Sequence, residues 1–161
     1  MFKSTRFKST AKSTILKLTG IVALPLLLVT AAQASSEMRL ALGFASTQAG
    51  GETVGSYSLS NIASRDSSGE FCLGYGDRTP DHVLTLEQDF TQLTIAVDSG
   101  GEDTTLLIQG PDNTTVRCND NASRRDRDPE IQDTFAKGTY RVWVGAFEQE
   151  GRHRYNLTIT E

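Results

Sequence analysis

The chain is poor in the residues from which most active sites are built. Its 161 residues include two histidines, two cysteines and one tryptophan. Structural zinc needs four Cys or His ligands and catalytic zinc usually three from the protein. Two histidines with no H-E-x-x-H leave no zinc chemistry to expect. A G-x-S-x-G nucleophile turn, a phosphate loop and a dinucleotide fingerprint are also missing, so the usual hydrolase and nucleotide-binding readings lose their motifs. His82 and His153 lie beside strand-like runs without a partner motif and read as surface histidines, not as catalytic bases. No segment after residue 34 sustains a helical period, which removes helical bundles and α/β folds.

Acidic residues are absent from the first 34 positions, where Lys3, Arg6, Lys8, Lys12 and Lys17 precede the apolar run LTGIVALPLLLVT and the small-residue pattern AQA. That order is a secretory signal, with cleavage expected after Ala34. Pro25 breaks the apolar run, which is short for a membrane span of roughly 20 residues. The expectation is an exported protein, periplasmic or extracellular, with no span after cleavage. Residues 35–161 then carry 11 basic and 20 acidic side chains, a net of −9. Such a surface argues against nucleic acid and anionic membranes as partners. Cys72 and Cys118 are an even pair in an exported chain, expected as a disulfide. It would close a loop of about 46 residues, worth roughly 3–4 kcal/mol on the chain-entropy account.

What the chain does have is short β-rich runs separated by turns. HVLTLE (82–87), QLTIAV (92–97), TTLLIQ (104–109), TTVRC (114–118), TYRVWVGAF (139–147) and RYNLTIT (154–160) alternate with DSGGED, GPDN, AKG and EQEG. Regular strands with this punctuation predict an all-β fold, an antiparallel β-sandwich of jelly-roll type, as one domain over 35–161. Alternation places Leu93, Ile95, Val97, Leu106, Ile108, Tyr140, Val142, Val144, Leu157 and Ile159 in the core. Trp143 then points the other way, beside Arg141. Two readings follow: an aromatic covered by the N-terminal part of the domain, or, with Arg141, a surface for a ligand. STQAGGETVGS (46–56) reads as a flexible loop, and YSLSNI (57–62) as a strand.

The runs PDHVLTLEQDFTQLTIAV, DTTLLIQGPDN, GTYRVWVGAF and YNLTI together resemble the bacterial pre-peptidase C-terminal domain. The matching positions are Asp103, Leu106, Pro111, Asp112, Gly138, Tyr140, Val142, Val144, Tyr155, Leu157 and Ile159, and the likeness covers 80–161. The resemblance implies a β-sandwich of the kind appended to secreted proteases, with roles in secretion, folding or attachment, and calcium in collagen-binding relatives. No catalytic domain precedes the module here, and the two cysteines are not part of the family's pattern. The chain therefore reads as a stand-alone exported version.

CNDNASRRDRDPE (118–130) concentrates carboxylates and arginines without an apolar run. It is expected to be an exposed, irregular loop. Its acids are of the hard-oxygen type that calcium uses in sets of 6–8, but EF-hand spacing is absent and three arginines compete for them. If calcium binds, the expected ligands are Asp98, Asp103 and Asp120, at the bases of two strand connections. No other cofactor is expected. The functional expectation is a non-enzymatic exported module that binds a secreted protein or a polysaccharide, or supports secretion and folding. The alternative is a calcium-dependent carbohydrate- or matrix-binding protein, with a hydrolase as a third reading.

Overall fold

The computed structural model describes residues 35–161, so the signal-peptide expectation for 1–34 lies outside the described residues. Among the described residues, eleven strands form two sheets. They are β1 (Ser36–Leu40), β2 (Thr47–Glu52), β3 (Tyr57–Ser58), β4 (Tyr75–Gly76), β5 (His82–Leu86), β6 (Phe90–Asp98), β7 (Thr104–Gln109), β8 (Val116–Asn119), β9 (Glu130–Phe135), β10 (Gly138–Ala146) and β11 (Arg154–Thr160). One sheet is centred on β10. Its first half pairs with β5 and its second half with β7, on opposite edges. β1 runs parallel to β5 at one margin, and β8 extends β7 at the other. The second sheet is antiparallel throughout, in the order β2-β11-β6-β9.

The alternation seen in the sequence is what joins the sheets. All ten predicted core positions are buried, none more than 4% exposed. They pack with Leu84, Leu86, Phe90, Phe135 and Tyr155 into one core. Shifting β10 by one residue would exchange Val142 for Arg141 at the interface, so the pairing register is firmly set. The architecture is the all-β sandwich expected.

β7 is buried on both faces. Leu106 and Ile108 enter the main core, while Leu107 joins Trp143, Val116, Leu59 and Cys72 in a smaller cluster on the outer side. The 59–72 segment lies over that side, and the disulfide between Cys72 and Cys118 ties it to β8 (Cα–Cα 5.3 Å). Trp143 is consequently only 3% exposed. The surface expected of Arg141 and Trp143 is not formed, because Trp143 is covered by the N-terminal part of the domain. Arg141 remains half-buried, donating through Nη2 to Asn113 Oδ1.

Two other expectations change. The stretch read as a loop at 46–56 contains β2, which is poor in β-forming side chains but pairs along six residues with β11. Backbone pairing to a long neighbour supplies what its own propensity does not. YSLSNI forms only the two-residue β3 and a 3-10 turn at Leu59–Asn61, because Leu59 turns down into the Trp143 cluster.

Candidate binding surface

The β8–β9 connection is not irregular. Ser123 and Asp126 form an antiparallel bridge and exchange both backbone hydrogen bonds, at 3.3 and 3.1 Å. The Ala122 amide donates to the Asp128 carbonyl at 2.9 Å. Residues 122–128 are therefore a miniature hairpin with Arg124 and Arg125 as its two-residue turn, both exposed. Side chains reinforce the tip and base: the Arg125 amide donates to Ser123 Oγ, the Asp128 amide to Asp126 Oδ1 and the Glu130 amide to Asn119 Oδ1.

Asp128 fixes this hairpin to the body. Its Oδ1 accepts from the Ser99 amide at 3.0 Å, the Ser99 hydroxyl and the Thr104 hydroxyl at 3.2 Å. Its Oδ2 accepts from the Gly101 amide at 3.2 Å. Thr104 is fully buried, so this carboxylate satisfies a hydroxyl that water cannot reach. The Val97 amide donates to the Pro129 carbonyl at 3.0 Å, and Arg127 approaches Asp103 at 3.9 Å. The 98–103 turn and the hairpin are thus one unit. Local pattern could not reveal this, because the partners of Asp128 lie 24–29 residues away.

The three proposed calcium ligands occupy this region without converging. Asp98 accepts from the Gly100 amide within its own turn. Asp103 is half-buried, with Oδ2 toward Arg127 and Oδ1 buried without a partner. Asp120 is half-buried at the end of β8. Among the described residues, no group of three or more His, Cys, Asp or Glu side chains is placed to hold a metal ion. Next to the hairpin, Glu102, Asp103, Arg127, Glu148, Glu150 and His153 surround an open recess of about 430 Å³. His153 lies 3.4 Å from Glu102.

His82 is the clearest departure from expectation. It is 2% exposed and sits between the sheets. Ser36 Oγ lies 2.6 Å from Nδ1, and the Tyr155 hydroxyl lies 2.8 Å from Nε2. Burial lowers its pKa to about 4, so the ring is neutral at pH 7, with one nitrogen donating and the other accepting. The same burial raises the Tyr155 phenol, with Asp81 adding to the rise. Gly51 in β2 makes room for this tyrosine, since a Cβ there would overlap its ring. The sequence held the signal: His82 shares one face of β5 with Leu84 and Leu86. Both imidazole nitrogens are occupied by neutral hydroxyls, so the group reads as a satisfied inter-sheet contact.

The fold is that of a disulfide-tied β-sandwich, antiparallel except for the β1–β5 pair, presenting a short clamped hairpin. No protein-family model matches the chain, and no curated protein matches it in sequence. Solved structures similar to it include the following two. One is the pre-peptidase C-terminal domain of collagenase from Bacillus anthracis, at 15% identity and a TM-score of 0.47, covering 80% of this chain and 99% of that one. The other is PliG from Aeromonas hydrophila, a periplasmic inhibitor of g-type lysozyme, at 13% identity and a TM-score of 0.39, covering 79% and 98%.

Proposed function

We propose that this chain is a non-enzymatic exported module that binds a protein partner through the 122–128 hairpin, with Arg124 and Arg125 entering a carboxylate-bearing site. The observation that carries this reading is the pairing of a fixed base with two exposed guanidinium groups. Asp128, the Ser123–Asp126 bridge and the Ala122 amide hold the backbone before any partner arrives. Binding through such an element costs less ordering than binding through a free loop. Arginine presents a planar fork matched to carboxylates. The rest of residues 35–161 is strongly acidic, so an extended polyanion would be repelled while a localised acidic cleft would be met by the tip. Export is supported by the N-terminal pattern and by the disulfide, which persists in oxidising compartments.

The test is affinity capture from the exported fraction of the producing cells, with immobilised protein and the Arg124→Glu/Arg125→Glu double variant compared side by side. A protein retained by the first and released by the second is the expected result. Equal retention by both would refute the assignment of the tip.

A further inference from the structure

A second recess, of about 160 Å³, lies where β1 begins. Its lining includes Ser35, Glu52, Asp77, Asp81, His82 and Tyr155, drawn from both sheets. None of the residues lining it is a lysine or arginine. Asp81 illustrates the consequence. Burial raises its pKa to about 6, against the pull of the Val144 amide that donates to it, and the neighbouring Asp77 charge adds to the rise. The recess is thus a partly desolvated acidic site whose own walls supply no fixed counter-charge.

The start of the described chain enters this recess. The Ser36 amide donates to the Asp81 carbonyl at 3.1 Å, and Ser36 Oγ contacts His82. Ser35, itself part of the lining, precedes this anchor by one residue, so its backbone nitrogen belongs to the segment held at the recess. In the uncut chain that nitrogen is a neutral amide. Cleavage after Ala34, the position marked by AQA, makes it an ammonium group.

We propose that removal of residues 1–34 releases an α-ammonium at Ser35 that becomes the counter-ion of this recess, pairing with Asp77 and Asp81 and fastening β1 onto β5. The inference rests on the export reading above. Maturation would then do more than free the protein from its leader. It would supply the one charge that the fold lacks at the margin of a sheet, where β1 has a single neighbouring strand. His82 stays neutral beside it and Tyr155 stays protonated, so Glu52, Asp77 and Asp81 are the groups that face the new charge.

The experiment begins with the first residue of the protein purified from the exported fraction, read by mass spectrometry. The α-amine is then titrated by NMR in wild type, Asp77→Asn and Asp81→Asn, with circular dichroism as the check on folding. Ser35 is expected first, with an amine pKa at least about one unit above the ordinary 7.7–8.0. Each substitution should return it toward that range, and Asp77→Asn decides the matter if Asp81→Asn fails to fold. An ordinary amine in the wild type, or one that neither variant moves, overturns the inference and leaves the export reading standing. A first residue other than Ser35 does the same. A chain that retains residues 1–34 overturns both.

Discussion

Replacing Asp128 with alanine removes the acceptor on which the hairpin base depends. Four donors lose their partner: two amides and the hydroxyls of Ser99 and Thr104. Hydrogen bonds to a charged group contribute roughly 1.5–3 kcal/mol each, but not additively. Ser99 is half-buried and Gly101 is exposed, and both can recover water, whereas Thr104 is fully buried and cannot. The cost is therefore set mainly by the Thr104 hydroxyl left without a partner, about 1–3 kcal/mol. A domain of this size has a total stability of roughly 5–15 kcal/mol, so the variant should still fold. Urea denaturation at pH 7 should show a lower midpoint with an unchanged slope, and Asp128→Asn should fall between the two. Amide exchange should accelerate at Ser99 and Gly101 and across Ala122–Asp126, while β10 and β11 keep their protection. A loss below about 0.5 kcal/mol with unchanged exchange in the hairpin would show that Asp128 does not hold it.

Three further outcomes follow from the interior. Because the folded pKa of His82 is depressed from 6.5 to about 4, its contribution is fully present above pH 6.5 and is lost as pH falls toward 4. Between pH 7 and 4.5 wild type should lose about 2–3 kcal/mol relative to His82→Gln, measured by paired urea curves; parallel pH profiles would count against a buried neutral ring. Asp81 titrates in the opposite sense, its raised pKa favouring stability at low pH, and the paired comparison removes that contribution. Gly51→Ala should cost about 1–3 kcal/mol by displacing the Tyr155 ring, and unchanged thermal stability would mean that β2 shifts freely. Reducing Cys72–Cys118 should cost roughly 3–4 kcal/mol from the 46-residue separation, with an unaltered urea midpoint under reductant as the contrary result.

What could be read from the sequence was whatever local alternation encodes. β6, β10 and β11 place their apolar residues at every second position, and Leu93, Val142 and Leu157 are buried accordingly. The even cysteine pair was legible from count and export. β2 was not, because TQAGGE carries almost no strand propensity and exists through its pairing with β11. The hairpin was hidden for a related reason: nothing within DNASRRDRD marks Asp128 as the partner of a turn 24–29 residues earlier. Its acids left calcium open as an alternative because composition does not distinguish an oxygen awaiting a cation from one already accepting amide protons, as those of Asp126 and Asp128 do. His82 was misread as a surface histidine because it was not counted as the first of three inward residues, with Leu84 and Leu86, along β5.

The measurement that bears most directly on the proposed function is the dissociation constant of the captured partner for wild type, for Arg124→Lys/Arg125→Lys and for Arg124→Glu/Arg125→Glu. If two guanidinium forks engage carboxylates, lysine should weaken binding by about tenfold or more and glutamate should abolish it, since fork geometry and charge both contribute. Added salt should weaken the wild-type complex. Identical constants for all three proteins, insensitive to salt, would contradict the account.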